Sequence, residues 1–371
     1  MRRAGQTGDV HDPVPIRLLV AVAALLAVAA CTTGPATEGG GQPAGRSSPR
    51  PESSSTPTPT ARPLGRPLTT LTVVGDIMLG RGVADQPGGA AARLRPLADH
   101  LRAADLSVGN LESTLSDDGP PQQGTDSFHA PPAVLDALAG AGVDALSLAN
   151  NHTGDYGTPA LLQTLAAFRG SRIESFGAGR DLRAATRPAV LTRNGVRFGF
   201  LGFNAIGETP RAAAGSPGAL SVRMPPRTGP LDRGDLAHVA DAVRRLEQRV
   251  DVVVVLPHWG TQYTHVAEPV QALVGRRLVD AGADLVVGGH PHWVQGLQRY
   301  DGAVIAHSLG NFVFDMDFMP QTMEGVTLTA RFRGDRLRGV ELTPYRLDAT
   351  FTPRRVTGPR AAAILRDVHT H

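Results

Sequence analysis

The sequence predicts an α/β sandwich, and three observations lead to this fold class. Short apolar runs typical of buried strands alternate with amphipathic helical patterns along the chain. Polar residues follow most of these apolar runs directly, as ligand-binding residues do at the ends of strands in α/β sheets. About 300 residues follow the N-terminal segment without an internal repeat, which is enough for a single large domain.

Each element is predicted from its own pattern. Strands are predicted where apolar runs are short and bounded by Gly, Pro or polar residues, at residues 71–74, 106–108, 145–148, 190–192, 196–203, 252–256, 285–287, 326–332 and 337–343. Helices are predicted where apolar residues recur at helical spacing, at residues 91–104, 131–140, 160–169, 234–249 and 268–281. Asn194-Gly195 predicts a tight hairpin turn. Residues 204–233 are rich in Gly and Pro and predict a long loop of the kind that covers binding sites.

The charge balance excludes several classes of protein. All 37 basic residues are arginine, so neither a lysine Schiff base nor a phosphate loop with a lysine is available. The formal net charge is +3, and residues 1–70 hold seven arginines against four acidic residues. The rest of the chain is therefore near neutral and shows no basic stripe along the sequence. This pattern does not favour nucleic acid as a partner.

The N-terminus has the pattern of an export signal. Arg2, Arg3 and Arg17 precede the apolar residues 18–30, a run too short to favour a membrane span. Cys31 is the only cysteine and ends a Val-Ala-Ala-Cys sequence that resembles a bacterial lipobox, so residues 1–31 predict a lipoprotein signal peptide. The alternative is an ordinary signal peptide followed by a chance cysteine. Residues 32–68 are rich in Pro, Ser and Thr and predict a disordered tether. We therefore expect an extracytoplasmic protein that a lipid on Cys31 anchors to the outer face of the cell membrane.

The stretch from residue 284 to 315 contains the strongest local motif. Residues 285–287 predict a buried strand, Gly288 and Gly289 end it, and His290 and His292 follow. In an extended segment alternate side chains point the same way, so both imidazoles are predicted to reach one metal ion. The alternative is a pair of surface histidines on a turn.

Further candidate residues follow other predicted strands. The set that shares this placement comprises Asp76, Asn110, Glu112, Asn150, Asn151, His152, Asp155 and His258. Each has an ordinary alternative, such as a helix cap, a turn or a packed histidine. Together they predict one site, because strand ends meet at one edge of a sheet. Asp, Asn and His ligands without cysteine favour one or two ions of Mn, Fe, Zn or Mg.

The motifs resemble a known family when they are taken in order. The resemblance rests on Gly75-Asp76 with Gly80-Arg81, Gly109-Asn110-Leu111-Glu112, Asn150-Asn151-His152, Pro257-His258-Trp259-Gly260, Gly289-His290-Pro291-His292 and Ser308-Leu309-Gly310-Asn311-Phe312. This set resembles the CapA family of bacterial capsule proteins, which is linked to poly-γ-glutamate synthesis, over about residues 70–345. That family is similar to calcineurin-like metallophosphoesterases. The resemblance implies a four-layer αββα sandwich over residues 69–345, with a C-terminal tail at 346–371.

The resemblance also implies residue roles. Asp76, Asn151, His258, His290 and His292 match metal ligands, and His152 matches a histidine that protonates a leaving group. Residues that would contact the substrate or support the ligands are Arg81, Asn110, Asn150, Asp155, His307 and Asn311. The alternatives are a salt bridge for Arg81 and ordinary packing for His307 and Asn311.

Two positions depart from the phosphoesterase pattern. Met78 stands where that pattern has a histidine, and Asn110 stands where it has an aspartate that bridges two metals. Either a single metal is bound, or Glu112, two residues after Asn110, acts as a substitute ligand or as a base.

Three functions are compatible with these features. The first is a metal-dependent hydrolase or transferase that acts on an envelope polymer. The second is a non-catalytic component that binds an anionic polymer such as poly-γ-glutamate, with capsule-synthesis membrane proteins as further partners. The third, a generic phosphatase, is disfavoured by Met78 and Asn110.

Overall fold

The computed structural model describes residues 67–369, so the predicted signal peptide, Cys31 and nearly all of the predicted tether lie outside the described residues. The strands are β1 Leu68–Ile77, β2 Leu106–Leu111, β3 Ala145–Ser147, β4 Glu174–Phe176, β5 Ala178–Gly179, β6 Ala189–Arg193, β7 Val196–Asn204, β8 Gly218–Ala219, β9 Val252–His258, β10 Leu285–Val287, β11 Leu297–Tyr300, β12 Ala303–Ala306, β13 Asn311–Val313, β14 Glu324–Arg333, β15 Arg336–Leu347 and β16 Pro353–Arg355. The α-helices are α1 Arg81–Ala84, α2 Gly89–Ala103, α3 Val134–Ala141, α4 Gly157–Arg169, α5 Leu182–Ala185, α6 Arg233–Glu247, α7 Pro269–Asp280 and α8 Gly358–His369. Short 3-10 helices occur at Gly124–Asp126 and Pro320–Met323. Among these helices, none has the length and apolar character needed to cross a lipid bilayer.

The strands form two main sheets. The eight-stranded sheet has the order β16-β15-β14-β1-β2-β3-β4, and β13 also pairs with β1. Strands β1 to β4 run parallel, whereas β14 and β15 extend the sheet by antiparallel pairing. The six-stranded sheet has the order β11-β12-β10-β9-β7-β6, with four parallel strands in the middle and antiparallel strands at both edges. A third sheet consists of β5 and β8.

The two main sheets pack face to face. Leu71 and Val108 of the eight-stranded sheet belong to the same buried cluster as Phe200 and Val254 of the six-stranded sheet. These strands are apolar on both faces because helices cover their outer sides as well. The central core of the protein is therefore the layer between the sheets.

Helices cover the outer face of each sheet. Leu97 of α2, Leu138 of α3 and Phe168 of α4 pack in one buried cluster with Ile77 of β1. On the other sheet, α6 and α7 pack through residues such as Val243 and Val274 against Val253 of β9. The order helix, sheet, sheet, helix confirms the predicted four-layer α/β sandwich.

The C-terminal segment is part of the packed structure. β15 continues to Leu347, β16 pairs with it, and α8 buries Ile364 and Val368 in the core between the sheets. The elements that sequence patterns missed are short, namely β4, β5, β8, β11, β13, β16, α1 and α5. Segments of two to five residues are too short for a hydrophobic period to identify them.

Removal of a side chain from the layer between the sheets should destabilise the protein. Leu71 is fully buried in β1, so Leu71→Ala is expected to lower the free energy of unfolding by about 2–5 kcal/mol. Leu68 of the same strand is 42% exposed, so Leu68→Ala should change it by less than about 0.5 kcal/mol. Denaturant unfolding of both variants measures the difference. Equal losses would show that Leu71 is not in the core.

Candidate metal centre

The eight-stranded sheet places its polar residues at one end of neighbouring strands. In the register of the sheet, Asp76 of β1 is opposite Asn110 of β2 on one side and Asn311 of β13 on the other. Asn110 Nδ2 donates to Asp76 Oδ1 at 2.9 Å and lies 3.3 Å from Glu112 Oε2. The parallel strands therefore bring two carboxyl groups and an amide to one point, as predicted from the strand ends.

The six-stranded sheet supplies histidines to the same point. His258 ends β9, and a parallel bridge between His258 and Gly289 continues the β9–β10 pairing into the loop. A Cβ atom on Gly289 would lie 2.4 Å from Asp76 Oδ1, so only glycine leaves room for that carboxyl group. The His290 backbone N–H donates to Asp76 Oδ2 at 3.0 Å.

The two histidines after β10 come together, but not by the predicted route. An extended segment was expected, yet His290 has φ 95° and His292 has φ 57°, both in the left-handed region. Few residues other than glycine adopt this region, and such strain concentrates at functional sites. The prediction of an extended segment is therefore wrong. The rings nevertheless lie 5.8 Å apart between centroids, because the bent backbone turns both toward the two sheets.

Two groups of buried side chains have the composition and spacing of metal sites. One group is Glu112, His258 and His290, and the other is Asp76, Glu112 and His292; within each group the ligand atoms lie within 4.8 Å of one another. Glu112 is the member that the two groups share. Its carboxyl could therefore serve as a ligand in either group.

Three atoms of this cluster have no hydrogen-bond partner among the described residues. They are Glu112 Oε1, His290 Nδ1 and His292 Nε2, and all three residues are 1% exposed or less. Buried polar atoms nearly always have a hydrogen-bond partner, so three atoms without one in a single cluster need an explanation. Divalent cations would take these atoms as ligands, Glu112 with His290 in one group and Glu112 with His292 in the other, and the residues present therefore fit such ions.

Hydrogen bonds outside the cluster orient His292. Asn311 Nδ2 donates to the Thr322 carbonyl at 3.0 Å, which directs Asn311 Oδ1 toward the imidazole. His292 Nδ1–H donates to that oxygen at 2.9 Å, so the proton is on Nδ1 and the lone pair is on Nε2. Metal-binding histidines are commonly held in this way by a second hydrogen bond.

His258 is held from both sheets. Its Nε2 lies 2.8 Å from Asn151 Oδ1 and 3.5 Å from Glu112 Oε1, and its Nδ1 lies 3.3 Å from Asn110 Nδ2. Asn151 Nδ2 in turn donates to Glu208 Oε2 at 2.7 Å, which turns the Asn151 carbonyl oxygen toward His258. Two ligand-type atoms, Asn151 Oδ1 and His258 Nε2, therefore point to the same place.

His152 and Asp155 form a buried pair at the border of the cluster. His152 Nδ1 lies 2.7 Å from Asp155 Oδ2, and its Nε2 lies 3.9 Å from Glu112 Oε1. Burial raises the pKa of Asp155 to about 8, although the Phe128 N–H and Gln123 Nε2 each donate to one of its oxygens and so oppose the rise. Burial lowers the pKa of His152 to about 3, so the imidazole is neutral.

Burial keeps charge low in the metal-free cluster. The pKa of Asp76 is raised to about 6 by burial and then by the charge of Glu112, and burial raises that of Glu112 well above its usual range. Burial lowers the pKa of His258 and of His292 to about 4 each, and that of His290 well below its usual range. Neutral imidazole is the form that binds metals. A bound cation would favour the ionised form of the carboxyl groups, because it supplies the positive charge that the neutral histidines do not.

The remaining predicted residues surround the cluster. Asn150 Nδ2 donates to Asn110 Oδ1 at 2.9 Å and to the Leu111 carbonyl at 2.7 Å, which orients Asn110. Arg81 pairs with Asp315 and stacks on the Phe128 ring, 4.3 Å from its centroid.

His307 packs against Trp259. Its carbonyl accepts from Trp259 Nε1 at 3.0 Å, and the two rings are 6.0 Å apart between centroids. These contacts are those of packing against Trp259.

Sequence patterns missed three residues that touch the site. Glu208 lies in the predicted long loop and holds Asn151, Gln123 holds Asp155, and the Phe128 ring stacks on His152 with 3.9 Å between centroids. None of them follows a strand, which was the signal that identified the others.

The fold and this cluster define an α/β-sandwich protein with a buried carboxylate and histidine centre at the ends of its strands. Residues 70–316 match the model of the family described as bacterial capsule synthesis protein PGA_cap, so the chain belongs to that family. The sequence resemblance to CapA proteins is thereby confirmed.

Named relatives agree with this assignment. The capsule biosynthesis protein CapA of Bacillus anthracis is 32% identical over 295 residues, which cover 78% of this chain and 69% of the relative. The PGA biosynthesis protein CapA of Bacillus subtilis is 28% identical over 318 residues, 84% of this chain and 80% of the relative. A probable polyglutamine synthesis accessory protein of Mycobacterium tuberculosis is 30% identical over 292 residues, 67% of this chain and 75% of the relative.

The close approach of Gly289 to Asp76 can be tested by one methyl group. Gly289→Ala should displace the Asp76 carboxyl and lower the free energy of unfolding by about 1–3 kcal/mol. Gly339→Ala is the matched control, since a Cβ atom there meets nothing within 4 Å. Thermal unfolding of the two variants measures the effect. If both unfold like the unmodified protein, the two sheets do not meet at Gly289.

Proposed function

We propose that this chain is a metal-dependent hydrolase or transferase that acts on an anionic envelope polymer such as poly-γ-glutamate. The observation that carries the proposal is the shared position of Glu112, whose partnerless Oε1 lies among imidazole nitrogens of both ligand groups. The names of the relatives support the polymer as substrate. We further propose that the protein acts outside the cell, held to the membrane by a lipid on Cys31 and working with membrane proteins of capsule synthesis.

The ligands would come from both sheets. Asp76, Glu112 and His292 would hold one ion, and Glu112, His258 and His290, with the amide oxygen of Asn151, would hold a second. Mn, Fe, Zn or Mg suit nitrogen and oxygen ligands of this kind. When bound, such an ion polarises a carbonyl or phosphoryl oxygen of the substrate.

His152 would move the proton. With Asp155 ionised and accepting from Nδ1, Nε2 would be the atom that takes a proton from an attacking group and returns it to the leaving group. Hydrolysis of an amide in the polymer would break the C–N bond, form a C–O bond from water and deliver the proton to the departing amine. The ionised Asp155 would stabilise the imidazolium that forms meanwhile.

Metal content and polymer production test this function together. The full chain, purified in detergent without chelator, should contain a divalent transition metal or magnesium by elemental analysis. Glu112→Gln and His290→Ala should lose at least about 90% of it, since removal of one ligand from a buried site is severe. His100→Ala removes a histidine that is bonded to Thr327 and belongs to neither ligand group, so this variant should keep the metal.

The same variants are then placed in the native host. His152→Ala should keep the metal but abolish the chain's contribution to cell-surface polymer, and His290→Ala should abolish both. A protein without metal, together with variants that support normal polymer levels, would refute the enzyme and leave a non-catalytic polymer-binding component.

The orientation of His292 gives a second test. Asn311→Ala removes the acceptor for Nδ1–H and should weaken Mn²⁺ binding about 10–100-fold, because the imidazole is no longer fixed with Nε2 toward the cluster. Asn311→Asp keeps an acceptor and should retain most of the affinity. Calorimetric titration of both with Mn²⁺ measures the difference. Equal affinities would mean that His292 Nε2 is not a ligand.

A further inference from the structure

An arginine-lined groove crosses one edge of the sandwich. Its volume is about 1350 Å³, and its lining comes from the end of α4, the β4–α5 segment, α5 and the end of α6. The groove lies where β4, at the edge of one main sheet, comes next to β6, at the edge of the other. It shares no residue with the buried carboxylate and histidine cluster.

Positive charge is concentrated in this groove. Two acidic residues, Glu174 and Asp181, line it, and Asp181 caps α5 by accepting from the Ala184 N–H at 2.7 Å. Six exposed arginines also line the groove, namely Arg169, Arg180, Arg183, Arg187, Arg245 and Arg249. Among the described residues, no carboxylate forms an ion pair with any of these six arginines.

The rest of the protein does not have this excess. Residues 67–371 contain 30 arginines and 30 acidic residues, so this part of the chain has no net formal charge. Elsewhere on the surface arginines commonly pair with acids, as Arg211 does with Asp235 and Arg223 with Asp232. An excess of four positive charges in one concave surface therefore creates a local field that attracts anions.

The lining selects among anionic polymers. Phe168 lines the groove but is only 6% exposed, so its ring is not available for stacking on a nucleic-acid base. The imidazole of His238 lies 3.2 Å from the Thr186 hydroxyl through Nε2. Leu165 and Leu182 line the groove, are half-buried and contribute apolar surface. Guanidinium groups bind carboxylates through paired hydrogen bonds, and apolar surface suits the methylene groups between them.

We propose that this groove binds a linear polycarboxylate chain at a site separate from the candidate metal centre. The identity of the chain as a glutamate polymer rests on the proposed function. Each exposed arginine–carboxylate pair contributes little alone, so affinity must come from several pairs at once. Binding should therefore increase with polymer length, weaken as salt rises, and be negligible for monomeric glutamate. The groove would hold the polymer near the protein while another segment reaches the buried centre.

Fluorescence anisotropy with labelled poly-γ-glutamate, on the full chain in detergent, tests the proposal. The triple variant Arg183→Gln, Arg187→Gln, Arg245→Gln should bind at least about tenfold more weakly, as several charge-assisted pairs are lost. The control triple variant Arg299→Gln, Arg336→Gln, Arg338→Gln removes the same charge from exposed arginines outside the groove and should bind within about twofold of the unmodified chain. Equal weakening in both triple variants would overturn the groove as the site.

Two further measurements separate this inference from the proposed function. His290→Ala should bind the polymer normally, and loss of binding there would place the polymer at the buried cluster instead. A single-stranded oligonucleotide or an anionic vesicle that binds the groove more tightly than the polymer would also overturn the inference. If the chain holds no metal but the groove variant alone loses polymer binding, the enzyme proposal fails and the groove stands. If the chain holds metal but no polymer binds, the groove proposal fails and the metal centre stands.

Discussion

The burial of Glu112 among imidazoles is the interaction on which the rest of the centre depends. Its carboxyl is inaccessible to solvent, and Oε1 has no hydrogen-bond donor among the described residues. An unpaired polar group costs about 1–3 kcal/mol when it is buried, and more when it is charged. The nearby imidazoles do not remove this cost, because their Nε2 atoms lie 3.5 Å (His258) and 3.9 Å (His152 and His292) from Oε1. A cation is the partner that would satisfy carboxyl and imidazoles together.

This centre requires both sheets at once. Asp76 and Glu112 follow strands of one sheet, whereas His258 and His290 follow strands of the other. The apolar layer between the sheets therefore sets the distance between the ligands as well as the stability of the fold. The left-handed backbone at His290 is tolerated because its N–H bonds to Asp76 and Gly289 leaves that carboxyl room.

Sequence patterns predicted the site residues at strand ends and missed the features that depend on tertiary contacts. Asp76, His152 and His258 were identified because each follows an apolar strand, and parallel strands end together. The backbone of His290 could not be predicted, since its φ results from contacts with the other sheet. Glu208 was missed because its position depends on how a long loop folds back. The arginine groove could not be predicted from the sequence either, because its residues come from α4, α5, α6 and their neighbouring segments and form no stripe along the chain.

The replacement of a bridging aspartate by Asn110 at first argues against a two-ion site. In the structure, however, Asn110 Nδ2 donates to Asp76 Oδ1 and approaches Glu112 Oε2, so the amide lies between two carboxyl groups that would otherwise repel each other. Asn150 fixes the direction of this amide by donating to its oxygen. A carboxyl group is instead present two residues later, at Glu112, which belongs to both ligand groups. A carboxyl group is therefore still present at the same strand end, where either group of ligand-type side chains could use it.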